Sequence, residues 1–192
     1  MKRYYTLISI LVCLPMLTYS QLTTVKEGYK VEKPKFSPPV EDMANSFMEK
    51  PAPCFQANDL NQISRTISNY YGKSLVIFFW SSESEICKEY IPYINELNRE
   101  CDGLKSELLS FGDESRSQIQ AFSKDQNIEF TVVPNGAFLG EAIYGEELGT
   151  PRFFIADRKG IIRAVIPEEA ASVPVKTIAH IKMLLTDLKS NN

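Results

Sequence analysis

The run Ser74-Leu75-Val76-Ile77-Phe78-Phe79-Trp80 constrains the fold more than any other segment of the chain. Six consecutive aliphatic or aromatic residues follow Ser74. A strand with one wet face would alternate apolar and polar side chains. This one reads as a central strand covered on both faces, as in parallel sheets, so the rest of the chain must supply covering layers for both sides.

The downstream pattern provides them. Ser84 to Arg99 carries apolar residues at 86, 90, 91, 94 and 97, which is helical spacing. Leu104–Phe111 reads as a second strand, Glu114–Gln126 as a second helix and Phe130–Val133 as a short strand. Gly136–Glu147 has a looser helical pattern. Arg152–Ala156 and Ile161–Val165 flank Asp157-Arg158-Lys159-Gly160, a hairpin turn with glycine where positive φ is inexpensive. A last helix is expected from Val175 to Lys189. The order predicts an α/β domain with a mixed central sheet and helices on both faces.

The N-terminus is of a different kind. Lys2 and Arg3 precede the apolar run Leu7–Leu17, and Thr18 and Ser20 are small residues placed for cleavage before Gln21. Residues 1–20 therefore read as a signal peptide, and the mature protein is expected to be exported, periplasmic or secreted. Anchoring as a lipoprotein through Cys13 fits less well, because Leu11 and Val12 are bulky. Residues 21–50 are polar, with Pro34, Pro38 and Pro39, and read as an N-terminal extension. A short amphipathic helix over Glu41–Met48 would present Met43, Ala44, Phe47 and Met48 on one side. Pro51-Ala52-Pro53 marks the start of a domain over 51–192.

The formal net charge is −3, and removing the basic leader makes it more acidic. With no basic cluster, nucleic acid is not an expected partner. Metal-ligand spacings, phosphate loops and paired carboxylates are absent from the pattern, so neither metal nor cofactor is expected.

Three motifs in order carry a family resemblance: Pro51-Ala52-Pro53-Cys54-Phe55, then Phe78-Phe79-Trp80-Ser81-Ser82-Glu83-Ser84-Glu85-Ile86-Cys87, then Gly149-Thr150-Pro151 before Phe153-Phe154-Ile155-Ala156-Asp157. Over roughly residues 51–188 the chain resembles the TlpA/ResA-like branch of the thioredoxin superfamily, which shades into the redoxin and peroxiredoxin (AhpC/TSA-like) group. The resemblance implies a thioredoxin-like fold. It also implies a Cys-x-x-Cys site at a helix start, facing a cis-proline, that exchanges with protein thiols or disulfides. By position Ser84 stands where the attacking cysteine would be and Cys87 where the resolving cysteine would be. Pro151 is the implied cis-proline, Glu83 replaces the usual tryptophan, and Phe78 occupies the place of a buried proton-transfer acid. The implied substrate groove is Trp80, Thr150 and Pro151.

A serine hydroxyl cannot replace a thiolate in disulfide exchange, so two-cysteine exchange at this motif is excluded. Ser84 fits a helix N-cap, which contributes about 1 kcal/mol, alone or with a hydrogen bond to Cys87. At Cys87 the helix dipole favours a thiolate by about 0.3–1 kcal/mol, and Glu83 and Glu85 oppose it. The single histidine, His180, lies off the apolar stripe of the last helix and reads as solvated. Three readings stay open: a thiol-based oxidoreductase acting through Cys87 alone, a redox-silent module holding an extended peptide, and a peroxiredoxin-like peroxidase. The third has the Ser-x-x-Cys spacing. It lacks the proline expected at Trp80 and the arginine expected at Pro151, and Arg152, one residue on, should point to the other face.

After removal of the leader, Cys54, Cys87 and Cys101 remain. Cys87 and Cys101 bracket one predicted helix about 21 Å long, beyond disulfide reach. Cys54–Cys101 or Cys54–Cys87 are the remaining pairs. The first is expected, as a staple that spares Cys101 from being a stray thiol in an oxidising compartment.

Overall fold

A computed structural model of the protein describes residues 36–190. The expectations for the leader, its cleavage and residues 21–35 fall outside that range. Among the described residues no helix is long and apolar enough to cross a membrane.

The central strand is β3, Ser74–Trp80, buried at every position. It follows two short strands, β1 (Gln56–Asn58) and β2 (Ser64–Thr66), and a 3₁₀ turn over Ile67–Tyr70. On one side β3 pairs in parallel with β4 (Ser106–Gly112), which pairs in parallel with β5 (Thr131–Val133). On the other side it pairs antiparallel with β6 (Arg152–Ala156), which forms a hairpin with β7 (Ile162–Ile166). The five-stranded order is β5-β4-β3-β6-β7, the mixed sheet that the pattern predicts.

Alternation along β3 sorts its side chains into two cores. Val76, Phe78 and Trp80 face a cluster built by helices α2 (Glu85–Glu100), α3 (Arg116–Asp125) and α5 (Pro174–Ser190), with the short α4 (Ala137–Ala142) before β6; the cluster includes Cys87, Ile94, Ile119 and Ile181. Leu75, Ile77 and Phe79 face a second cluster with Phe55, Ile67, Tyr70, Phe111, Tyr144 and Phe154. Helix α1 (Pro38–Phe47) completes this second layer: Val40 and Ala44 are buried in it, and the Phe47 ring meets Phe154 edge-on at 5.1 Å. The compact unit therefore begins at Phe36 rather than Pro51. The end of the extension is part of the core because its apolar stripe covers the sheet.

Two hairpins repeat one device. Asp59 accepts the N–H groups of Asn61 and Ile63 and pairs with Arg65. Asp157 accepts those of Lys159 and Ile161 and pairs with Arg163. In both, a nearly buried carboxylate closes the turn at i+2 and i+4 and takes a guanidinium at i+6. Hydrogen bonds and the paired arginines hold both carboxyls below the usual carboxylate range, outweighing a burial effect that pushes upward. In the second turn Gly160 takes φ +76°.

Candidate functional site: the helix start around Cys87 and the Thr150–Pro151 loop

The loop Ser81-Ser82-Glu83 after β3 is held from the neighbouring strand. Glu114, just past β4, accepts hydrogen bonds from the Ser81 hydroxyl (2.6 Å) and the Ser82 N–H (2.8 Å), while the Asp113 N–H donates to the Trp80 carbonyl. This fixes where α2 starts. Ser84 is its N-cap residue by backbone position, but its side chain makes no capping hydrogen bond. That part of the sequence reading is corrected: the Ser84 hydroxyl is directed to Cys87 instead of the first-turn amides.

Cys87 is fully buried, packed with Phe78, Trp80 and Tyr90. Burial pushes its thiol up, hydrogen bonds from the Ser84 side chain and the Ser81 backbone pull it down, and the negative charges of Asp113 and Glu168 push it further up. The net direction is upward, away from a standing thiolate. The carboxylates that push it up, Asp113 just past β4 and Glu168 after β7, come from other elements than the adjacent Glu83 and Glu85. Phe78 leaves no proton-transfer acid beneath the sulfur: its ring stacks on Phe153 at 4.6 Å and lies along Trp80.

Trp80 does not line a groove. It is fully buried, and its indole N–H donates to the Ser110 hydroxyl at 3.2 Å inside the core. The correction has a simple cause: Trp80 is the last residue of a strand covered on both faces, so its ring turns under α3 towards Phe122.

The Thr150–Pro151 peptide is cis. Pro151 and Ile86, one residue before Cys87, line one pocket together with Glu168, Ala171 and Ser172. Thr150 lines a second, smaller pocket with Asp113, Glu141, Glu146 and Arg152. The structure therefore gathers Ser84, Cys87, Thr150 and Pro151 around one end of the sheet and removes Trp80. Ile86, Asp113 and Glu168 are the residues that sequence reading missed. Asp113 follows the carboxyl end of a parallel strand, the usual place for functional groups in such sheets. Burial raises its carboxyl to about 6, helped by Glu114 and opposed by Arg152.

The three cysteines among the described residues are separate thiols. The expected Cys54–Cys101 staple is not formed: Cys101 belongs to the α2–α5 core, whereas the neighbours of Cys54, Ala52 and Phe55, pack in the opposite layer. The same separation applies to Cys54 and Cys87. His180 is exposed on α5.

Arg152 pairs with Phe79 in the β3–β6 register, and its guanidinium lies over the Phe79 ring at 4.8 Å. That is the face opposite Cys87, so it supplies no arginine at the thiol.

The fold and these motifs agree with an independent comparison: the AhpC/TSA family profile matches residues 48–165. The chain belongs to the AhpC/TSA family. Among curated relatives, the thiol-disulfide oxidoreductase ResA of Bacillus thuringiensis subsp. konkukian is 28% identical over 114 residues, covering 58% of this chain and 64% of the relative. The chain thus spans somewhat under two thirds of that protein. Among solved structures, a putative thiol:disulfide interchange protein DsbE from Chlorobium tepidum superposes with TM-score 0.61 at 18% identity, covering 71% of this chain and 97% of the other. A reduced 2-Cys peroxiredoxin from Plasmodium vivax gives TM-score 0.63 at 17% identity, with 75% and 84% covered. These likenesses show a thioredoxin-like fold and a chain similar in sequence to ResA.

Proposed function

We propose that this protein is an exported member of the thiol–disulfide oxidoreductase group that holds an extended polypeptide in the Thr150–Pro151 groove and performs no two-cysteine exchange. The observation that carries this reading is the pairing of Ser84 with a fully buried Cys87 whose thiol burial pushes up. Exchange needs an accessible thiolate to attack and a second thiol to release the product. The pocket at Pro151 supports the binding part of this reading: Ile86, Pro151 and Ala171 give it apolar lining beside Glu168, Glu169 and Ser172, and a mixed lining of this kind suits alternate side chains of an extended chain.

Partners are then polypeptides, including those bearing thiols or disulfides like the substrates that the names of the relatives imply. Export is supported by the leader pattern of residues 1–20. A second reading, single-thiol redox chemistry at Cys87, is favoured by one observation: the hydrogen bonds from Ser84 and Ser81 favour a charged sulfur. Alkylation of native protein, with insulin reduction measured in parallel, separates the two. Protection of Cys87 until unfolding, with no insulin reduction, supports the binding module; labelling of native Cys87 supports single-thiol chemistry.

A further inference from the structure

Arg152 carries a charge into the layer opposite Cys87, where nothing in the proposed function uses it. Only 4% of the residue is exposed. Its Nη1 donates to the Gly149 carbonyl and, at 3.0 Å, to the Thr150 hydroxyl. Its guanidinium lies on the Phe79 ring, and its Nε has no hydrogen-bond partner among the described residues. Burying a guanidinium whose hydrogen-bond partners are neutral is costly, a cost that the carboxylates of Asp113, Glu141 and Glu168 offset in part, so a chain that keeps one there gains something specific from where it is placed.

What Nη1 holds is the pair of residues before Pro151. Glu168 holds Thr150 as well, accepting its N–H at 3.3 Å. Two glycines make room for this arrangement. A Cβ at Gly140 would run into the Arg152 guanidinium. A Cβ at Gly149, which has φ +68°, would run into the Glu168 side chain.

We propose that Arg152 is a positioning residue for the groove: acting from behind the sheet with Glu168 in front, it clamps Gly149 and Thr150 and so sets the backbone that a bound polypeptide meets. The link to polypeptide binding rests on the function proposed above; the clamp itself does not. Lysine at 152 keeps the charge and loses the planar guanidinium that packs on Phe79 and places Nη1, while Thr150→Val removes one acceptor and leaves the buried arginine in place. Thr150→Ser keeps that acceptor.

Two readouts test the clamp. The first is amide hydrogen exchange at Thr150, compared with the β6 amides. The second is affinity for reduced, carboxymethylated insulin B chain as an extended polypeptide probe. Faster Thr150 exchange by tenfold or more is expected in Arg152→Lys and Thr150→Val, with β6 amides unchanged. A several-fold loss of B-chain affinity should accompany it, and Thr150→Ser should restore both. The double variant Arg152→Lys/Thr150→Val should lose no more than the worse single variant. Wild-type exchange rates in either single variant overturn the clamp, and so does faster exchange across all of β6, which would mark general loosening. Faster Thr150 exchange with unchanged B-chain affinity overturns the positioning role. If wild-type protein binds no B chain, the proposed function fails, and Thr150 exchange still decides the clamp.

Discussion

Replacing Ser84 by cysteine should reconvert the helix start into a working two-thiol site, because every other requirement of the geometry is present. Position 84 is the N-cap of α2 and Cys87 is three residues on, so the two Cα atoms lie about 5 Å apart by helical geometry. That falls inside the window for an unstrained disulfide, about 4.4–6.8 Å. The substitution exchanges one oxygen for one sulfur at a half-exposed position. Closing a four-residue loop removes unfolded-state entropy equivalent to about 2 kcal/mol. For a domain of this size that corresponds to roughly 4–8 °C in Tm between the oxidised and reduced variant. Thermal unfolding with and without dithiothreitol measures the gap, mass mapping identifies the 84–87 bond, and insulin turbidity measures turnover. Wild-type protein should show neither the redox-dependent shift nor turnover. A folded Ser84→Cys variant that forms no 84–87 disulfide under mild oxidation would refute the reasoning, since the helix start would then not hold the two thiols in register.

Other outcomes follow from single residues. Asp113 has its carboxyl raised to about 6 from an ordinary 3.8, so the folded state binds its proton more tightly than the unfolded chain does. Its contribution is therefore present at low pH and lost as pH rises from about 4 through about 6, at most about 3 kcal/mol before solvent screening reduces it. Asp113→Asn should stabilise the protein at pH 7 and leave it unchanged at pH 4, read by urea unfolding at both pH values. Trp80→Phe should cost about 2 kcal/mol, mostly from the unfilled volume and the lost bond to the Ser110 hydroxyl, which keeps its own bond to the Thr131 carbonyl, while B-chain affinity of the folded variant stays at the wild-type value. Gly149→Ala should destabilise the loop by strain at positive φ and by collision with Glu168, seen as weakened B-chain binding and a lower Tm.

How much of this was legible in the sequence differs from element to element. The buried strand at 74–80 is an unbroken apolar run and the helix after it is strongly periodic, and the structure places both within a residue or two of the reading. β1 and β2 are not legible, because Gln56-Ala57-Asn58 and Ser64-Arg65-Thr66 show no apolar alternation. They are held by backbone pairing and by the Asp59–Arg65 turn. The packing of α1 was half legible: its apolar side was visible, but its docking on the sheet depends on a face that only the folded sheet creates.

The site divides in the same way. Ser84, Cys87 and Pro151 could be placed because they are fixed by local motif spacing. Trp80 was misplaced because membership of a motif says nothing about which side of a strand a ring takes. The Cys54–Cys101 pairing failed because a count of thiols carries no information about which layer each one enters. Arg152 was correctly turned away from Cys87 by the two-residue period of a strand. Its contacts with Gly149 and Thr150 need the fold, as does the approach of Asp113 from a neighbouring strand.

The central claim is that the groove persists while the attacking chemistry is gone, and thiol accounting in the native protein tests it most directly. With excess iodoacetamide at neutral pH, exposed Cys54 should label at once, and buried Cys87 and Cys101 only after unfolding. Insulin reduction in the same preparation should not exceed the dithiothreitol background. Rapid labelling of Cys87 in folded protein together with insulin turnover above background would contradict the account.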